Sequence, residues 1–322
     1  MKTYKINSVG TVKRLSHNQV VKLSRNILIA ILFAFSFQSF AQSNSQVITI
    51  TGTQFTYPLI KRWISEYSRI NPELKFKLIN EQENSGLTDI RIIAHTPEKG
   101  EIADNKTLLK VGRFAILPIT NEKNNSFSKD FKKGVRQERL KAIFMKEENN
   151  FDTKDEKDKE PEYTVYTKTP QSALAKAISS YLGNPAEDLK GIYVTGDDLN
   201  LITSLLDDST GVSYNNLGLV YNLEKRVPIN GIKILPIDLN NNGRLDKEEQ
   251  IYGNLDQVIT YLEESNNSSI PTDYVSFVTD KKSSNPLVEN FLNWVKEYGQ
   301  EYNHQYGFLD YPSVRNTSLT KK

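Results

Sequence analysis

Apolar positions follow two periods along the chain, and the places where one gives way to the other mark its elements. Val47, Ile48 and Ile50 form a short run suited to a buried strand, and Gly52 ends it. Thr53, Gln54 and Thr56 supply hydroxyls and an amide at a turn. From Pro58 onward Leu59, Ile60, Trp63, Ile64 and Tyr67 recur at helical spacing. A strand, a glycine turn and a helix start bring unpaired N–H groups and the positive end of a helix dipole to one point, which is an anion-binding geometry. The same pattern also serves as an ordinary connection in any α/β domain.

Further along, alternation predicts a second strand at 74–79, a polar loop at 80–86 and returning apolar character over 87–93. A buried strand is expected over 108–120, ending at a proline, then a turn at 121–126 and a helix over 129–145. Residues 147–162 are crowded with Asp, Glu and Lys, which suits a solvated loop. A strand at 163–166, a helix at 170–182 stopped by Gly183 and a short helix at 198–206 follow. Gly211 opens another strand, further strands are expected at 232–237 and 274–278, and a last helix lies between Asn285-Pro286 and Gly299. Strands alternating with helices, without internal repeats, argue for α/β layers with largely parallel sheets.

The length of 322 residues allows two domains, and 25% charged residues with 38% hydrophobic ones is a soluble globular balance. The beginning differs. Lys2, Lys5, Lys13, Arg14, Lys22 and Arg25 precede an apolar run at 27–41, too short for a comfortable membrane span, with the small residues Ser39 and Ala41 before Gln42. We expect a signal peptide over 1–41, cleaved near Ala41, and a periplasmic or secreted product. Removing six positive residues takes the formal charge from +2 to −4, so nucleic acid is not an expected partner. Without cysteine there are no disulfides, thiolate zinc sites or cysteine nucleophiles.

The sharpest motif runs from Asp238 to Glu249 and satisfies D-x-[DN]-x-[DN]-G-x5-E. Calcium takes roughly six to eight oxygen ligands. Asp238, Asn240 and Asn242 offer side-chain oxygens, Arg244 a backbone carbonyl, Asp246 a direct or water-bridged contact and Glu249 a bidentate carboxylate. Gly243 permits the sharp turn. A strand, not a helix, precedes the loop, so the expectation is an EF-hand-type loop grafted on another fold, with structural Ca²⁺. An Asn-rich turn is the plainer reading.

Catalytic chemistry is not expected. His95 and His304 stand without a nucleophile partner, and no phosphate-cradling or dinucleotide glycine pattern occurs. Trp63 and Trp294 read as core. Ser85-Gly86 and the helix start between Lys168 and Ser172 are further places where N–H groups and hydroxyls could meet an anion, and together with residues 52–55 they would make a cleft site.

Taken together, these stretches resemble the periplasmic phosphate-binding proteins of ABC transporters. Gly52-Thr53-Gln54-Phe55 with Pro58 and Trp63 is similar to that family's opening, and Ser85-Gly86 falls at its Ser-Gly phosphate loop. Residues 114–119 resemble its crossover strand, 211–215 its Gly-x-Gly-Tyr segment, and Phe291, Trp294, Gly299, Gly307 and Phe308 its terminal helix. The resemblance covers about residues 47–311. It implies an α/β, two-lobed periplasmic binding protein-like fold, each lobe a mixed, mainly parallel sheet flanked by helices, with a hinge between lobes. Residues 42–119 and 271–322 would form the first lobe and 120–270 the second, carrying the calcium loop.

The resemblance further implies a monomer that captures phosphate or a related oxyanion and delivers it to an ABC permease in the inner membrane. Thr53, Gln54, Phe55, Ser85 and Gly86 would bind from the first lobe, Lys168 and Ser172 from the second. Lys168 replaces an Arg of the family, Ala173-Leu174 a Gly-Thr pair, and the acid that accepts the phosphate proton has no clear counterpart, with Asp89 and His95 nearest. Those departures leave a rival expectation, a calcium-braced extracellular interaction module that keeps the fold without binding a small anion.

Overall fold

The computed structural model describes residues 47–80, 88–146, 163–265, 269–281 and 285–312. Strand β1 (Val47–Gly52) buries Ile48 and Ile50 completely and is paired on both edges, parallel to β2 (Lys75–Leu78) and to β3 (Ile90–Ile93). Helix α1 (Tyr57–Ile70) carries a proline in its first turn and turns Leu59, Ile60, Trp63 and Tyr67 inward. Each such side chain removed from water stabilises the fold by about 1.5–3 kcal/mol. Trp63 also donates its indole N–H to the Gly299 carbonyl at 2.7 Å, tying α1 to the end of the chain.

Strand β4 (Lys106–Asn121) organises the sheet. From Lys106 to Ala115 it pairs antiparallel with β11 (Thr272–Asp280). From Ile116 to Thr120 it pairs with β7 (Gly211–Asn216), and from Ile119 to Asn121 with β10 (Ile232–Ile234). Adding β5 (Thr164–Thr167) and β6 (Ile192–Tyr193), the nine-stranded sheet runs β2-β1-β3-β11-β4-β7-β5-β6, with β10 on β4. The sheet is mixed. Its parallel pairings flank β1 and β5, while every pairing of β4 and β11 is antiparallel. β4 does not end at Pro118. That residue contributes its carbonyl, which accepts the Leu235 N–H at 2.9 Å, and the strand runs on to Asn121.

The single helix expected over 129–145 is two, α2 (Asp130–Lys133) and α3 (Gln137–Phe144). Gly134 at φ +75° breaks it, pressed so closely on Asp238 that a Cβ there would lie 2.9 Å from the Asp238 nitrogen. Helix α4 (Ala173–Leu182) is capped by Ser172 and stopped by left-handed Gly183, as the sequence indicates. Helices α5 (Leu199–Asp207) and α6 (Leu217–Val220), the small β8–β9 ribbon (Tyr221–Asn222, Val227–Pro228), α7 (Leu255–Glu264) and α8 (Pro286–Glu297) complete the elements. One continuous apolar core includes Phe114, Phe144, Tyr214, Phe277 and Phe291. The expected leader at 1–41, Ser85, Gly86 and the charged tract at 147–162 lie outside the described residues. Among the described residues no helix is long and apolar enough to cross a membrane.

The end of β1 is held against β3 by Gly52, whose φ is +128° and whose added Cβ would fall 2.0 Å from the Ile92 carbonyl oxygen. Gly52→Ala is expected to cost roughly 2–4 kcal/mol in a denaturant melt, as strain and overpacking combine. A loss below about 0.5 kcal/mol, the size of a neutral surface change, would contradict this packing.

Candidate functional site

The β1–α1 turn, the loop after β3, the β5–α4 connection and the loop before α5 surround a cavity of about 570 Å³. Gly52, Thr53 and Gln54 form one wall, held in shape locally. The Thr53 N–H donates to the Ile92 carbonyl at 3.1 Å, and the Thr56 hydroxyl to the Thr53 carbonyl at 2.6 Å. Phe55 is not in the lining; its ring packs between Phe114 and Phe308, at 5.1 and 6.1 Å between centroids, and anchors the turn to the core. Opposite stands the start of α4. The Ser172 oxygen accepts the Ala175 N–H at 3.1 Å, which leaves the hydroxyl hydrogen available to a ligand, and Ala173 joins the lining.

Lys168 lines the cavity, but its ammonium is already bound. Nζ donates to the Gly196 carbonyl at 2.7 Å, lies 3.4 Å from the Asp197 carbonyl and pairs with Asp198 Oδ1 at 3.4 Å. A buried ammonium requires such acceptors, and the 195–198 loop supplies them. Lys168 thus lines the cavity with its ammonium engaged by this loop. Burial pushes the Asp198 carboxyl up to about 6, although Lys168 opposes the shift; the ammonium, shared with two carbonyls, does not fully offset desolvation. Asp198 also anchors the loop, its carbonyl accepting from the Asn215 amide at 2.9 Å.

A second ionic group bridges the cavity. Lys176 on α4 donates to Glu101 Oε1 at 2.8 Å, and His95 Nε2 lies 2.6 Å from the same oxygen. Partial burial works against the Glu101 anion, yet hydrogen bonds from Lys176, the Glu98 N–H and His95 hold its carboxyl at about 2. Asp89 plays no part here; it accepts the Thr49 N–H at 2.8 Å and is not in the lining.

Thr53, Gln54, Lys168 and Ser172 therefore meet at one cavity, as the sequence suggests. Sequence reasoning missed Arg91, Glu101, Lys176, Asp197 and Asp198. Lys176 was within reach, since it sits four residues after the Ser172 cap and shares its helix face. Glu101 lies in an irregular loop and carries no local signal.

The 238–249 loop is a separate site. Gly243 sits at φ +84°, and the buried Asp238 carboxylate accepts the Asn242 and Gly243 N–H groups at 3.0 and 2.7 Å and the Arg136 guanidinium at 2.9 Å. Asp246 Oδ2 gathers the Asn240 and Asn242 amides at 3.1 and 2.6 Å. Glu249 accepts the Asp246 N–H at 2.7 Å and the Asn240 N–H at 3.1 Å. Three carboxylates and two carboxamides on one tight turn are a hard-cation donor set, and the residues fit calcium. Elsewhere, His304 Nε2 bonds Glu263 at 2.9 Å and lies 3.7 Å from Asp310, fastening the last described segment to α7.

The Glu101 bridge is directly measurable. A carboxyl depressed in the folded state contributes stability above its unfolded value near 4.5, and that contribution is lost as pH falls through about 2. An NMR titration should place the Glu101 midpoint near 2, and Lys176→Met should move it up toward 4.5. A wild-type midpoint already near 4.5 would contradict the bridge.

No family model matches the chain, and no curated protein matches it in sequence. Solved structures do match. An ABC-type phosphate transport receptor from Vibrio cholerae aligns with a TM-score of 0.55 at 13% identity, covering 83% of this chain and all (100%) of that one. A protein from Clostridium perfringens, assigned as a phosphate ABC transporter substrate-binding protein and holding phosphate, gives 0.55 at 12% identity, with 83% and 100% covered. At these identities the likeness speaks for the backbone, and the chain has the fold of the ABC-transporter substrate-binding proteins.

Proposed function

We propose that the chain is an exported solute-binding protein that captures phosphate, or a related oxyanion, between two lobes and presents it to an ABC permease. The observation that carries this reading is the cavity itself. The β1–α1 turn and the capped start of α4 meet there from opposite parts of the sheet, the turn with the Gln54 N–H and the helix with its first N–H groups and the Ser172 hydroxyl. Residues 42–119 with 271–322 would be one lobe and 120–270 the other, with β4 passing between them. Its change of partner at Ala115–Ile116 supports a crossover near that boundary. Thr53, Gln54 and Ser172 contact the anion, and Lys168 acts through the 195–198 loop. Binding and release require no covalent step.

Isothermal titration of the purified protein with phosphate and with sulfate tests this reading. Micromolar binding of one oxyanion is expected, and Ser172→Ala, checked for folding by circular dichroism, should weaken it about tenfold, or ~1.4 kcal/mol. Unchanged affinity in that variant would remove Ser172 from the site. The bound state of Lys168 favours the second reading, an interaction module that keeps the fold without a small ligand. Absence of heat with either anion, in folded protein, would select it.

The 238–249 loop, on this proposal, holds structural calcium through Asp238, Asn240, Asn242, the Arg244 carbonyl, Asp246 and Glu249, in place of the present N–H donors to Asp246. Calcium at about one hundred times its dissociation constant should stabilise the fold by ~2.7 kcal/mol. A melting point raised by calcium in the wild type but not in Glu249→Gln is expected; equal melting points with calcium and with chelator would refute the site.

A further inference from the structure

We infer that the ligand of this cleft carries a cationic group beside its oxyanion, and we propose an amine-bearing phosphate monoester or phosphonate. The inference rests on the oxyanion reading above and concerns what else the molecule must carry.

The space is the first reason. With Lys176 and Glu101 in contact at 2.8 Å, the cavity still measures about 570 Å³. A bare tetrahedral oxyanion of five heavy atoms takes the room of only a few water molecules, at ~30 Å³ each. Cavities of the size seen here, between about 300 and 1,000 Å³, hold organic ligands.

Charge is the second. Among the described lining residues Arg91, Lys168 and Lys176 are positive and Glu101, Asp197 and Asp198 negative, so the wall is formally neutral with His95 uncharged. A dianion against such a wall is compensated by hydrogen bonds alone, with no surplus positive charge. A ligand with its own cation brings far less net charge into the cavity.

Placement is the third. The Ser172 hydroxyl and the Ala173 N–H at the start of α4, with the Gln54 N–H on the facing wall, are the donors that suit an anion, while the Thr53 and Ser172 N–H groups are taken by the Ile92 and Thr169 carbonyls. The 195–198 loop has the opposite chemistry. Its Gly196 and Asp197 carbonyls and the Asp198 carboxylate already hold one ammonium, that of Lys168. Asp197 adds an exposed carboxylate whose Oδ1 accepts the Leu199 N–H at 2.7 Å and whose Oδ2 has no donor among the described residues. With the oxyanion on the helix start and the amine on Asp197, both ends of the ligand are matched.

Titration calorimetry of the protein produced from the full-length chain, with inorganic phosphate, ethyl phosphate and phosphoethanolamine, tests the inference. Phosphoethanolamine should bind at least tenfold more tightly than either of the others. Asp197→Asn keeps an acceptor for the Leu199 N–H, so that hydrogen bond survives. It should bring the ratio between phosphoethanolamine and ethyl phosphate down to about one. Phosphate binding as tightly as phosphoethanolamine would overturn the inference. So would equal affinity for the two organic ligands in the wild type, or an unchanged ratio in the variant. Phosphate binding alone would leave the oxyanion reading intact and remove only the amine, whereas silence with all three ligands, in folded protein, would remove both.

Discussion

β4 joins the two halves of the sheet. Its first ten positions are laced to β11 and its last six to β7 and β10, so the two ends of the sheet share one uninterrupted strand. The β1–α1 turn hangs from one end of that sheet and the β5–α4 connection from the other. Their mutual position, and hence the cavity between them, is set by how β4 threads both. The residues of its second half, from Phe114 to Asn121, are buried in unbroken succession, which leaves the strand little freedom to shift register.

Within that frame the cleft works by neutralising its own charges. Lys168 is held by the loop opposite it, Lys176 by Glu101, and Asp198 carries a carboxyl raised by burial. What is left for a ligand is oriented backbone and hydroxyl chemistry at the two helix starts, which gains strength where water is excluded. On the proposed reading such recognition depends on backbone placement, and Gly52, where an added Cβ would fall 2.0 Å from the Ile92 carbonyl oxygen, fixes that wall.

How much of this was legible in the sequence depends on the range of the contact. The βα turn at Gly52, the Ser172 cap with its Gly183 stop, and the Asp238–Glu249 spacing are local patterns, and the structure shows each as a turn, a capped helix and a tight loop. The helix over 129–145 was misjudged because Gly134 answers to Asp238, a neighbour distant in sequence. Lys168 lines the cavity that its helix-start position suggests, whereas its partner loop carries no local signal, because the bond joins residues 28 positions apart. Glu101 and Lys176 are 75 apart and meet only across the cavity, where no periodicity reaches. The mixed sheet has the same origin: β11 returns from far along the chain to lie antiparallel between β3 and β4.

The most direct measurement is an amide chemical-shift map of the folded protein during addition of inorganic phosphate to millimolar concentration. The account predicts concerted shifts at Thr53, Gln54, Ser172 and Ala173, which line the cavity from two sides. Shifts confined to one side, or to surface lysines alone, would contradict a site built between them.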